Sequence, residues 1–111
     1  MSADSFRRVA LGQPQALESS HMGHPDFRVG GKIFATLDGA GLRGCLKLTP
    51  EQQEMLMDAE PGRFEPAAGY WGRRGWTWIG LEDADEATIT SALAMAWRNV
   101  APAKVLKAHQ P

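Results

Sequence analysis

Residues 26–37 read DFRVGGKIFATL. Apolar side chains stand at alternate positions before the two central glycines and again after them, and this period of two is typical of β-strands with one buried face. Gly30 and Gly31 both tolerate the positive φ angles of a two-residue hairpin turn. The segment therefore predicts two antiparallel strands joined by a tight turn.

The chain on both sides of this hairpin predicts further strands. Residues 42–48 and 76–81 alternate in the same way, whereas residues 16–23 are polar and could form either a loop or an edge strand. Residues 64–70 are apolar but contain a proline, so an irregular or edge segment is expected there. A turn is expected at residues 72–75, where two glycines enclose two arginines.

Helices are predicted in three places. The first follows Ser2 or Asp4, and the second begins at Thr49, where a proline and a glutamine complete a capping pattern. The third follows Asp83, which precedes Glu86 by the three residues of a capping box. Because the strands and helices do not alternate regularly, the sequence predicts an α+β fold, with an antiparallel sheet packed against helices.

Length and composition limit the organisation of the chain. With 111 residues, 43% of them hydrophobic, the chain can bury one core, which we assign to residues 1–102 as a single domain. Residues 103–111 have little to bury, and we expect a flexible C-terminal tail. We expect neither a membrane span nor a signal peptide, since no apolar run has the required length. A single Cys45 fits a cytoplasmic location.

The net charge excludes one class of binding protein. Twelve Lys and Arg residues stand against thirteen Asp and Glu residues, so the chain cannot coat a polyanion by its bulk charge. The acidic residues of 82–86 have a structural explanation, because negative charge is favoured at the start of a helix. Any basic surface must therefore arise from the way the fold sorts its charges.

Candidate metal and catalytic groups are few. His21 and His24 are three residues apart, but a metal would need a third ligand from Glu18, Cys45 or His109, and solvent-facing histidines are favoured instead. Flanking cations would lower the pKa of the Cys45 thiol if they shared its face, although an ordinary strand cysteine is favoured. We predict no enzyme, metal or cofactor, because no residue set supplies a nucleophile with its base.

The most suggestive pattern is a set of cations beside aromatic residues at predicted turns. Arg28 and Lys32 flank the glycine pair, and Arg73 and Arg74 lie between two tryptophans. Cations at hairpin tips can reach phosphates, and neighbouring aromatic rings can stack on bases. On these residues alone the alternative is favoured, in which the tryptophans belong to the core and the cations only solvate the turns.

The order of several motifs resembles a known family. The chain carries, in sequence, Glu18-Ser19, HPDFRVGGKIFA at 24–35, LKL at 46–48, FEP at 64–66, RGWTWI at 74–79 and WRNVAP at 97–102. Together these motifs, over residues 16–102, resemble the MmcQ/YjbR-like family of small bacterial proteins. The resemblance implies a two-layer α+β sandwich similar to that of frataxin-like proteins, and a "double-wing" DNA-binding role. Arg7 and Arg8 replace the carboxylate row that frataxin-like iron delivery would need.

The resemblance also implies roles for individual residues. Gly31 and Gly75 would be turn glycines, whereas Phe34, Trp97 and one of Trp76 and Trp78 would be core. The exposed candidates for DNA contact are Arg28, Lys32, Arg73 and Arg74, although Lys32 could instead pair across strands with Glu18.

Together these expectations describe a cytoplasmic, non-enzymatic binding module that binds DNA weakly and with strong salt dependence. The alternative is a protein–protein adaptor or small-ligand binder that uses an exposed aromatic surface around Tyr70, Trp71 and Trp76.

Overall fold

A computed structural model describes residues 1–109. The helices are α1 (Ala3–Leu11), α2 (Pro50–Ala59), α3 (Gly69–Arg73), α4 (Glu86–Val100) and α5 (Ala103–Ala108). The strands are β1 (Leu17–His21), β2 (His24–Val29), β3 (Lys32–Leu37), β4 (Arg43–Lys47), β5 (Phe64–Pro66) and β6 (Trp76–Gly80). None of the helices along the described residues is long and apolar enough to cross a membrane.

The strands form one antiparallel sheet in the order β1-β2-β3-β4-β6-β5. The predicted hairpin joins β2 to β3, and Gly30 and Gly31 adopt φ angles of 59° and 80°. The register shifts beside Phe27, so Phe34 has no partner on β2 and is fully buried. Residues 16–23, ambiguous in the sequence, supply the edge strand β1. The predicted α+β fold with an antiparallel sheet is confirmed.

One face of the sheet carries the helices and the core. Helices α1 and α4 pack on the central strands β3 and β4, and burial of their apolar faces is the main stabilising contribution. Trp97 of α4 is buried as predicted, and its Nε1 donates to the Pro14 carbonyl at 2.9 Å. Other core side chains are Phe6, Phe27, Leu46, Ile79 and Leu93.

The two predicted capping patterns have different outcomes. At α2 the prediction is confirmed: Gln52 N donates to Thr49 Oγ1 at 3.1 Å, and Thr49 N donates to Gln52 Oε1 at 2.9 Å. At α4 it is wrong, since the helix begins at Glu86 after the N-cap Asp85, whose side chain makes no capping bond. Asp83 lies instead in the preceding turn, where its backbone carbonyl accepts a hydrogen bond from Arg63.

Two short helices were not predicted. Helix α3 begins within the stretch expected to be irregular and ends within the predicted turn, and its Gly72 is buried too closely against the Ala67 carbonyl to accept a side chain. Helix α5 replaces most of the expected flexible tail. Val105 is only 8% exposed and joins the core, which gives these residues an apolar anchor. The remaining residues of that predicted tail, 110 and 111, lie outside the described residues.

Candidate functional site

The face of the sheet opposite α1 and α4 is the open face. Asp26 pairs with Thr36, Thr36 with Cys45, and Cys45 with Trp78, so one row of residues crosses four strands. Their neighbours along each strand point into the helix-covered core, and side chains alternate between the two faces of a strand. This row therefore forms the floor of the open face.

A pocket of about 520 Å³ lies on the open face. Trp76 and Trp78 of β6 and Trp71 of α3 form its aromatic wall, and His21 lies on the opposite side near the β1–β2 turn. We call this cavity the tryptophan pocket. The resemblance implied that either Trp76 or Trp78 belongs to the core, and this expectation is wrong. Both side chains are half-buried and line this pocket. The volume is within the range typical of sites for small organic ligands.

Two large aromatic side chains are exposed at the edge of the pocket. Trp71 is 62% exposed and Tyr70 is 53% exposed. Their rings meet edge to face, with centroids 5.4 Å apart. Arg74 Nη1 donates to the Tyr70 hydroxyl at 2.8 Å, and its guanidinium carbon lies 5.5 Å from the Tyr70 ring centroid. Arg74 therefore holds the Tyr70 ring, which Trp71 contacts while most of its own surface faces solvent.

Four cations lie at one end of the sheet. The β2–β3 turn, the end of β4 and the start of β6 meet at this end, as the strand registers require. We call the cations located there the basic end: Lys32, Lys47, Arg73 and Arg74. Within residues 1–109 none of the four lies within 4.0 Å of a carboxylate oxygen. The end of α4 is also here, because Asn99 Nδ2 donates to the Lys47 carbonyl at 3.0 Å.

Lys47 is the most constrained of these cations. Its Nζ donates to the Arg74 carbonyl at 2.6 Å and lies 6.0 Å from the centroid of the Trp76 ring. Partial burial, and then the positive charge of Arg74, lower the pKa of Lys47. A nearby anion would oppose the effect of the Arg74 charge, because an opposite charge stabilises the ammonium form.

A group of carboxylates lies at the other end of the sheet. The acidic residues 82–86 follow β6 and surround the start of α4, and the side chains of Glu82, Asp83, Asp85 and Glu86 are exposed. The near-zero net charge of the chain therefore does not reveal that these carboxylates and the basic end lie at opposite ends of the sheet. A separation of this kind orients and attracts charged ligands.

Arg28, the remaining predicted DNA contact, makes a different interaction. Its Nε lies 2.8 Å from Asp26 Oδ1 and its Nη2 lies 3.0 Å from Asp26 Oδ2. Asp26 is fully buried, and its Oδ2 also lies 2.8 Å from His21 Nδ1. The hydrogen bonds from Arg28 lower the pKa of Asp26; burial opposes this effect, and His21 adds to it. The guanidinium of Arg28 is thus paired with a carboxylate, whereas the four cations of the basic end are not.

This His21–Asp26–Arg28 cluster was missed from the sequence. Strand alternation places Asp26 and Arg28 on one face, which was the available signal, but nothing in the spacing indicates that His21 folds back across the β1–β2 turn onto the same carboxylate. The alternative considered for Lys32, a cross-strand pair with Glu18, does not form. Glu18 Oε1 instead accepts a hydrogen bond from Arg7 Nε at 3.0 Å, because α1 passes beside the edge strand.

The remaining candidates from the sequence have clear positions. Cys45 shares the open face with Arg43 and Lys47, but it is 6% exposed and burial raises the pKa of its thiol to about 12. The His21 and His24 rings lie 6.4 Å apart. No cluster of three or more metal-ligating side chains occurs in the part of the chain that the structure describes.

Comparison with known proteins identifies relatives of this fold. Protein DR2400 of Deinococcus radiodurans, which contains the domain DUF419, superposes with a TM-score of 0.80 at 22% identity, over 96% of this chain and 86% of its own. A protein of Pseudomonas syringae superposes with a TM-score of 0.69 at 17% identity, over 90% of this chain and 99% of its own. No curated protein matches the sequence. The model of the YjbR family matches residues 11–99, and the chain therefore belongs to the YjbR family.

Proposed function

We propose that this chain is a non-enzymatic binding module that holds DNA by its phosphates at the basic end. The observation that carries the proposal is the position of four cations without a carboxylate partner within residues 1–109, beside Trp76 at one end of the open face. Cations of this kind release counterions when they bind phosphates, which is the main source of sequence-independent affinity. We assign the module to the bacterial cytoplasm, where such a ligand is available.

The proposal changes the residues expected to contact DNA. Lys32, Arg73 and Arg74 remain from the prediction, and Lys47 is added because it lies beside Trp76 at the basic end. Arg28 becomes a supporting residue, since Asp26 engages its guanidinium on two nitrogens. Four contacts give a slope of about −3.6 in log affinity against log salt concentration, so binding is modest and falls steeply with salt.

Fluorescence anisotropy with labelled duplex and single-stranded DNA tests the proposal. We expect binding at ~50 mM salt and the steep slope given above. Lys32→Ala and Arg73→Ala should each reduce the slope by about 0.9. Arg8→Ala is the matched control, because this exposed arginine lies 3.8 Å from Glu86 at the acidic end. Absence of binding to both probes at low salt refutes the proposal, and an equal effect of all three substitutions refutes the assigned surface.

A second candidate function uses the aromatic surface rather than the cations. The exposed rings of Tyr70 and Trp71 beside a pocket are the observation that favours a protein partner or a small ligand. Binding of this kind would depend mainly on apolar contact and would persist at high salt. The salt series therefore distinguishes the two candidates.

A further inference from the structure

We propose that the tryptophan pocket accepts an unpaired base from a single DNA strand whose phosphates lie on the basic end. The inference rests on the proposed function and names the form of DNA that is bound. It commits the pocket to one occupant, a planar heteroaromatic ring that is attached to a phosphate backbone.

The shape of the pocket favours a single strand. A cavity of about 520 Å³ recessed into a sheet face can admit one ring, whereas a paired base lies inside the duplex and has to leave its stack first. Indole rings bind bases of any identity through their faces, and this stacking tolerates different sequences. The four cations of the basic end alone would not distinguish duplex from single strand.

The cations that would hold the phosphates lie next to the pocket that would hold the base. Arg73 and Arg74 come just before Trp76 in the chain, and only Gly75 separates Arg74 from Trp76. Lys47 pairs with Trp76 in the sheet. A strand that places a phosphate near Lys47 therefore has its sugar and base beside the wall of the pocket. This charge complementarity at the mouth of the pocket favours a nucleotide chain over an uncharged ligand.

The two sides of the pocket carry different groups that could bind a base. Trp71 is 62% exposed and its ring contacts that of Tyr70, so the indole offers an exposed face for stacking. On the opposite side, His21 Nδ1 is engaged by Asp26, and Nε2 is the nitrogen that His21 can offer to the edge of a base. One aromatic platform and one oriented polar group are the elements that unpaired bases use in known modes of recognition.

The experiment compares four probes on the intact chain by anisotropy or competition. They are an oligothymidine of ~12 nucleotides, an abasic strand of equal length and charge, a duplex of equal length, and thymidine monophosphate. We expect the oligothymidine to bind more tightly than the duplex, and roughly tenfold or more tightly than the abasic strand. Thymidine monophosphate should compete only weakly, because it carries one phosphate.

Variants then assign the difference to the pocket. Trp71→Ala should lower affinity for the oligothymidine roughly tenfold and leave affinity for the abasic strand unchanged, whereas Trp71→Phe should retain most of the binding. Leu42→Ala is the control, since this side chain is 65% exposed and lies beyond the opposite end of β4. Thermal unfolding verifies that each variant is folded.

The outcomes separate the two proposals. Equal binding of the oligothymidine and the abasic strand overturns the base pocket but leaves DNA binding through phosphates intact. Tighter binding of the duplex than of the single strand overturns the pocket in the same way. Competition by the monophosphate at the same concentration as the strand makes a free nucleotide the occupant and overturns this inference. Failure of every probe to bind refutes the proposed function itself.

Discussion

The guanidinium of Arg28 donates hydrogen bonds to both carboxylate oxygens of Asp26, two residues earlier on the same strand, at 2.8 Å and 3.0 Å. Asp26 is fully buried, so its charge depends on these bonds and on His21 for compensation. The cluster links β1 to β2 at the side of the tryptophan pocket. Its contribution to stability can be measured separately from any ligand.

Replacement of Asp26 tests that contribution. We expect Asp26→Asn to lower the free energy of unfolding by roughly 1.5–3 kcal/mol, because the hydrogen bonds from Arg28 lose their charge assistance. Urea unfolding at neutral pH measures the change. Asp4→Asn is the control, since that carboxylate is 92% exposed, and we expect it to cost no more than about 0.5 kcal/mol. Equal effects of the two substitutions would show that the buried pair contributes nothing.

The same carboxylate predicts a loss of stability in acid. The hydrogen bonds from Arg28 hold the pKa of Asp26 below its ordinary value of 3.8. A lowered pKa in the folded state stabilises the protein above the unfolded pKa, and this stabilisation is lost as the pH falls through the folded pKa. The difference in unfolding free energy between the wild type and Asp26→Asn should therefore shrink as the pH is lowered below about 4. A difference that stays constant in acid would contradict the assignment.

Cys45 provides a prediction about reactivity. Burial raises the pKa of its thiol from 9.0 to about 12, so the thiolate that reacts with disulfide reagents is roughly a thousandfold scarcer than for an unperturbed thiol. We expect native labelling by a chromogenic disulfide at pH ~8 to be at least that much slower than labelling in denaturant. Labelling of native protein at the rate of a free cysteine would show instead that Arg43 and Lys47 activate the thiol.

Local patterns predicted those parts of the fold that local forces determine. The alternation around Gly30-Gly31 and the cap at Thr49 depend on residues within a few positions of each other, and both are confirmed. Helix α5 was missed because Val105 and Leu106 anchor it to core residues that are distant in sequence. Tertiary packing overrides composition in such segments.

The candidate site was harder to predict than the fold, because it depends on contacts between residues that are distant in sequence. Arg73 and Arg74 were found as cations beside tryptophans, but their relation to Lys47 and Lys32 depends on which strand ends coincide. Trp76 and Trp78 were expected to supply a core residue, since large aromatic side chains are usually buried. This expectation is wrong because helices α1 and α4 cover only one face of the sheet, and the two tryptophans lie on the other face.

Two glycines with similar backbone angles predict very different costs of substitution. Gly75 has φ of 103° and Gly31 has φ of 80°, so alanine at either position is strained by about 1 kcal/mol. A Cβ at Gly31 would meet nothing within 4 Å, whereas a Cβ at Gly75 would overlap the Leu48 carbonyl. The two residues are held together because the Leu48 amide donates a hydrogen bond to the Gly75 carbonyl at 3.2 Å. We expect Gly75→Ala to cost roughly 3 kcal/mol or more in urea unfolding and Gly31→Ala about 1 kcal/mol. Equal losses would mean that the β4–α2 junction yields, and that the close approach does not fix Arg74 and Trp76 on either side of Gly75.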